Sequence, residues 1–127
     1  MADVDVKINH KAMDDISKQA LIALEQTAHQ MLADNVRLQL MPFDVGNMQN
    51  SQTAVDASEL KDRKVSIRTT APQARRLYFH PEYNFQQGKN ANAGGRWWDP
   101  YISGSRKDFA RTTFKKLYKR RIAKYDN

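Results

Sequence analysis

The first 41 residues contain neither glycine nor proline, while all five glycines and all four prolines fall between Pro42 and Gly104. These two residues are the strongest interrupters of regular helix. The partition therefore reserves the start of the chain for one long helix and its middle for turns and short elements. From Met13, the residues Ile16, Ala20, Leu24, Ala28, Met31 and Asn35 step by three or four, which traces one face of a 3.6-residue period. The spacing predicts a helix from Lys11 to Arg37, with Asn9 as its N-cap and Asp14 and Asp15 near the positive end of the macrodipole. Ahead of it, Val4, Val6 and Ile8 alternate with Asp and Lys, a pattern open to either a short edge strand or a loose arm within residues 1–9.

After Pro42 the period changes. Residues 51–56 and 63–69 are short and rich in β-branched side chains, and Val65 and Ile67 alternate with polar neighbours as on a sheet with one wet face. With Ala57–Asp62 as the turn, a β-hairpin is expected. Arg75–His80 is amphipathic but too short to assign. Residues 81–104 lack clear periodicity, and a connection of that length in a small domain is usually functional or disordered. A second helix is expected from Ser105 to Lys124, with Ala110, Phe114, Leu117 and Ile122 as its apolar stripe and Phe109 and Tyr118 on the shoulders. The expected fold class is α+β: a long N-terminal helix and a basic C-terminal helix packed on a small antiparallel sheet, with a long aromatic loop. The 127 residues suit a single domain.

Composition narrows the chemistry. The chain has no cysteine, which excludes disulfides and cysteine-ligated metals, and His10, His29 and His80 are too scattered to form a cluster by themselves. No metal or other cofactor is expected. No apolar run approaches the ~18 residues of a membrane span, so a soluble chain is expected. There are 21 basic and 14 acidic residues, net +7, distributed unevenly. Residues 1–60 carry 4 Lys/Arg and 9 Asp/Glu, whereas residues 61–127 carry 17 and 5. Opposed charge in two halves fits copies that attract one another head to tail, and fits equally two differently charged solvated faces.

Three groups of residues stand out as candidate sites. Pro42, Asp44, Gly46, Asn47 and Ser51 lie where helix gives way to sheet. Proline stops the helix, the aspartate can accept from backbone amides ahead of it, and glycine permits positive φ. Tyr83, Phe85, Trp97, Trp98 and Tyr101 crowd a loop of small residues that a chain of this size has difficulty burying. Aromatic side chains of this kind anchor interfaces, or else cap the domain's own core. The last helix carries nine Lys and Arg against Asp108 and Asp126. Lys115, Lys116, Lys119, Arg120, Arg121 and Lys124 form its basic face, where like charges at i, i+4 repel. Compensation comes in part from the helix dipole; the remainder would come from an acidic protein surface, the favoured partner, or from DNA phosphate. His80 with Glu82, and Arg75 with Arg76, have the ingredients of a small ribonuclease, but no second histidine, nucleophile motif or phosphate-cradling loop accompanies them. No catalytic residue is expected.

The run Pro42-Phe43-Asp44-Val45-Gly46-Asn47-Met48-Gln49-Asn50-Ser51 resembles the Pro-x-Asp-Thr-Gly turn of tailed-phage neck proteins, the minor capsid, tail-completion or head–tail-joining proteins. It departs from that pattern at Val45 and Met48, as the later chain does at Gln73. The stretch His80-Pro81-Glu82-Tyr83-Asn84-Phe85, then Asn90-Ala91-Asn92-Ala93-Gly94-Gly95, then Trp97-Trp98-Asp99-Pro100-Tyr101, is similar to a segment in the branch from phages of Gram-positive bacteria. The resemblance covers residues 10–122. It implies a structural virion protein rather than an enzyme, located at the head–tail junction after assembly in the host cytoplasm. Its partners would be copies of itself in a ring of six or twelve, other neck, connector or tail proteins, and genomic DNA passing through the lumen without sequence recognition. On that resemblance, residues 80–102 would face neighbouring subunits. The alternative reading is a small basic nucleic-acid-binding module.

Overall fold

In a computed structural model, residues 10–41, 52–83, 85, 87, 90 and 92–125 are described. The Pro42–Ser51 turn, and with it Pro42, Asp44, Gly46, Asn47 and Ser51, lies outside the described residues, as do residues 1–9 with the expected N-cap Asn9.

The glycine- and proline-free start of the chain is one helix, α1 (His10–Arg37). Its buried face carries Ala23, Thr27, Ala28, Asp34 and Asn35, with Ile16, Ala20, Leu24 and Met31 half-buried beside them. Small residues at positions 23 and 28 let neighbouring elements approach closely, and Thr27 satisfies its hydroxyl by donating to the Ala23 carbonyl at 2.7 Å. The helix ends through Gln39, whose φ of 58° is a left-handed exit made without glycine.

Strand β1 (Thr53–Asp56) pairs antiparallel with β2 (Ser66–Thr69), placing Thr53 opposite Thr69 and Val55 opposite Ile67. The Thr53 and Thr69 hydroxyls lie 2.9 Å apart, a cross-strand pair that helps hold the register. Asp56 accepts the Ser58 N–H at 2.9 Å and starts the turn, which continues through a 3-10 segment, Leu60–Asp62. Arg63, Lys64 and Val65 are not part of the strand: Arg63 sits at φ 63°, and β2 begins only at Ser66.

The remaining helices are α2 (Ala74–Tyr78), α3 (Asp99–Ile102), with Pro100 in its first turn, and α4 (Phe109–Arg121), followed by a 3-10 turn over Ala123–Tyr125. The fold class is α+β, with α1 touching both strands and packing along α4. Pairs across the two helices run in opposite order. Asp34 meets Arg106, Gln26 and Gln19 meet Arg121, and Asp15 meets Lys124, so α1 and α4 are antiparallel. The closing helix starts four residues later than the expected Ser105 and ends at Arg121. Residues 105–108 form turns instead, with the Arg106 N–H donating to the Pro100 carbonyl and the Lys107 N–H to the Gly104 carbonyl.

The core lies at the far end of α1. Met41, Ala71 and Trp97 are buried there, and Leu32, Val36, Leu40, Ala74, Leu77, Tyr78 and Trp98 pack around them. Here the expectation of an outward aromatic loop is corrected for two of its members: Trp97 is 3% exposed and Tyr101 7%, both within this chain. Carbonyls leaving α1 need partners, and the loop supplies them. Asn90 and Asn92 donate their side-chain amides to the Met41 and Leu38 carbonyls, and the Gly94 N–H donates to the Leu40 carbonyl. Once held there, the following tryptophan points inward.

Gly95 makes this closure possible. A Cβ at this position would lie 2.9 Å from the Pro81 Cα and 3.0 Å from the Leu77 carbonyl oxygen, both backbone atoms that cannot swing away. Gly95→Ala is expected to cost about 1–3 kcal/mol through overpacking, read as a lower urea midpoint. An unchanged midpoint would mean that residues 77–81 and 95 do not approach so closely.

Candidate interaction surface

Two regions carry the chemistry: the long segment from α2 to α3, and α4. Their junction is built on Asp34. Sited in the inward sector of α1, its carboxylate accepts the Tyr101 hydroxyl at 2.6 Å, Arg106 Nε at 2.6 Å and both Arg106 Nη2 and Arg37 Nη2 at 2.7 Å. The Asp34 side chain is only 7% exposed. Burial alone would push this carboxyl up. The hydrogen bonds from Tyr101, Arg37 and Arg106, with the Arg106 charge, outweigh it and hold the group below its usual 3.8. The same contact raises the Tyr101 phenol, through burial first and then the negative partner. Arg106 also lies over the Phe109 and Tyr101 rings, at 5.3 and 6.0 Å from their centroids. None of this was expected from the sequence. The available signal was an aspartate standing one residue from the apolar stripe that runs through Met31 and Asn35.

Next to this junction, Asn35 donates to the Trp97 carbonyl at 2.8 Å. Tyr78 packs edge-on against Trp97 and donates its hydroxyl to Asp99 at 3.0 Å, and burial followed by that contact pushes its phenol up to about 12. Trp98 is half-buried and tilted against Tyr101.

Other described residues of the segment are more open. Pro81, Glu82 and Tyr83 are exposed, Phe85, Gly94 and Gly95 are half-buried, and His80 lies 2.7 Å from Glu82 through Nδ1. That contact lowers the Glu82 carboxyl. Two exposed apolar residues were not singled out from the sequence, Phe79 at 52% and Ile102 at 71%. A shallow groove of about 460 Å³ brings Arg75 and Arg76 together with Phe79, His80 and Pro72. Of the four residues weighed as ribonuclease ingredients, Arg75, Arg76 and His80 thus line one groove, and Glu82 adjoins it through His80. The groove they line offers guanidinium groups and an aromatic edge, which suit binding.

Along α4, Lys115, Lys116, Lys119 and Arg120 are exposed. The other two residues expected on this basic face turn toward α1. Arg121 donates to Gln26 at 3.1 Å and to Gln19 at 2.8 Å, and Lys124 lies 3.3 Å from Asp15. Part of the like-charge repulsion is therefore relieved inside the chain. Lys116 and Arg120 border a cleft of about 450 Å³ with Phe109, Thr112, Thr113 and Leu117.

Among the described residues, no cluster of His, Asp and Glu could hold a metal ion, and no helix is long and apolar enough to cross a membrane. No protein-family model, curated protein or solved structure matches the chain.

Proposed function

We propose that this protein is a structural subunit of the tailed-phage neck, forming a ring of six or twelve copies that joins head to tail and lets DNA pass. The sequence resemblance supplies the class. The observation that carries it in the structure is the way residues 80–102 are used. Asparagine and glycine bonds tie the segment down onto α1, yet it ends on Ile102, whose large apolar side chain is 71% exposed. A large apolar side chain presented outward from the short helix α3 has the character of an interface anchor. The exposed cations of α4 add a basic face for an acidic surface, whether on a second copy or on another neck protein.

The test is assembly. Light scattering coupled to size-exclusion chromatography, followed by negative-stain imaging, should reveal a discrete ring, either from the protein alone or after addition of the other neck proteins. Ile102→Glu should abolish the ring while leaving the melting temperature unchanged. A protein that stays monomeric with every neck partner, or that turns over RNA in a reaction lost in His80→Ala, would overturn the reading.

A further inference from the structure

We propose that the surface formed by α2 and residues 79–83 binds single-stranded nucleic acid, with its arginines on phosphates and the Tyr83–His80 ring pair as a platform for a base. The proposal does not depend on the neck assignment. It starts from the two rings. His80 and Tyr83 stack with centroids 4.7 Å apart and planes within 6°, and Glu82 lies 2.7 Å from the His80 ring through Nδ1. Tyr83 is 42% exposed, so a flat aromatic surface is set in place before any ligand arrives. Such a platform takes an unstacked base of any identity, because every base has a π-face.

The phosphate side comes from arginines rather than lysines. Arg75 and Arg76 are exposed on α2 and share the groove with Phe79 and His80, and among the described residues neither has an ion-pair partner. Arg75 and Arg96 lie 5.9 and 5.4 Å from the centroid of the exposed Phe79 ring, which aligns their guanidinium groups beside the groove. Arg96 is only loosely engaged, 3.9 Å from Asp99. Planar forks of this kind match phosphate oxygens in pairs. Among the described residues, the lining of the groove itself holds no carboxylate; Glu82 adjoins it through His80, and Asp99 lies 3.9 Å from Arg96. An acidic peptide would use the arginines but would leave the Tyr83 face empty. A duplex would offer phosphates but no free base face. A single strand uses both, and phosphate contacts position it while stacking holds it.

Fluorescence anisotropy with a labelled twelve-nucleotide oligothymidine, compared with a twelve-base-pair duplex, tests this on the full chain at 50 and 150 mM salt. The single strand should bind more tightly than the duplex. Tyr83→Ala should weaken binding about tenfold or more, in line with the loss of one stacked base, without changing the salt dependence. Arg75→Gln with Arg76→Gln should instead flatten the salt dependence, by about 0.7 in logarithmic slope for each phosphate no longer neutralised. Photo-crosslinking of the unaltered protein to a 4-thiothymidine oligonucleotide provides a measurement that needs no variant, and crosslinks should map to residues 79–83. The proposal is overturned if the oligonucleotide does not bind at 50 mM salt, if the duplex binds as tightly, or if crosslinks fall only on α4. It is equally overturned if Lys115→Gln with Lys119→Gln abolishes binding while the Tyr83 and arginine variants retain it. Loss of self-association in Tyr83→Ala with oligonucleotide binding intact would assign the surface to a second copy instead.

Discussion

Asp34→Asn is expected to lower the melting temperature by about 12 °C, the equivalent of about 3 kcal/mol in a chain of this length. The substitution keeps the size of the side chain and removes only its charge and one acceptor. An amide in that place still accepts from Tyr101, but its NH2 group then faces the Arg106 fork, donor against donor, in a site where the side chain is 7% exposed. Arg106 is left without a counter-charge, and the turn that launches α4 loses its tie to α1. Acid offers a second readout. The folded Asp34 carboxyl titrates below its ordinary 3.8, so its contribution is complete above about pH 4 and disappears as pH falls through the folded value. The gap in stability between wild type and Asp34→Asn should therefore close below pH 4. A melting temperature within about 2 °C of wild type at neutral pH would show that this cluster does not hold the fold together.

Trp97→Ala should cost about 3–5 kcal/mol, as removal of a fully buried indole does elsewhere. Urea unfolding would register it as a midpoint lower by about 2 M, given the slopes usual for small domains. The loss has two parts. The indole fills the space between Met41 and Ala71, and Tyr78 rests edge-on against it with centroids 4.8 Å apart. Without the ring, the carbonyl that Asn35 binds also loses the packing that positions it. Trp98→Ala serves as the comparison, since that ring is half-buried and should cost distinctly less. Equal effects of the two substitutions would mean that the loop, not the core, determines the stability.

These two residues also mark what the sequence could and could not convey. α1 was legible almost to the residue because nothing in the first 41 positions of the chain interrupts a helix, and the hairpin was legible from its β-branched residues, although Val65, on which the alternation partly rested, precedes β2. Helix α4 was legible as a helix, but its start was not. Arg106 has the same charge as Lys107, and only its distant partner Asp34 takes it out of the helix and into a turn. Trp97 and Tyr101 were ambiguous for a similar reason. An aromatic in a glycine-rich segment can face a neighbour or its own core. What decides between them is whether the asparagines before it find carbonyls to bind, and those carbonyls, of Leu38 and Met41, lie 54 and 49 residues earlier. Asp34 shows the limit most clearly. A buried carboxylate reads as a flaw in an apolar stripe until its three donor residues are known.

The spacing of the Asp34 bonds has a consequence for how the protein is made. Its tyrosine and principal arginine partners follow it by 67 and 72 residues, and the asparagines that bind the Leu38 and Met41 carbonyls follow those residues by 54 and 49. A ribosome therefore releases α1 and the hairpin well before the segment that completes them. Throughout that interval Asp34 is a hydrated charge on a nascent helix, and the pocket for Trp97 is open. Folding must wait until Tyr101 and Arg106 have been made, because long loops have to close before their contacts repay the lost entropy. Premature termination before Tyr101 should yield a chain that is cleared by proteases, not a smaller stable domain.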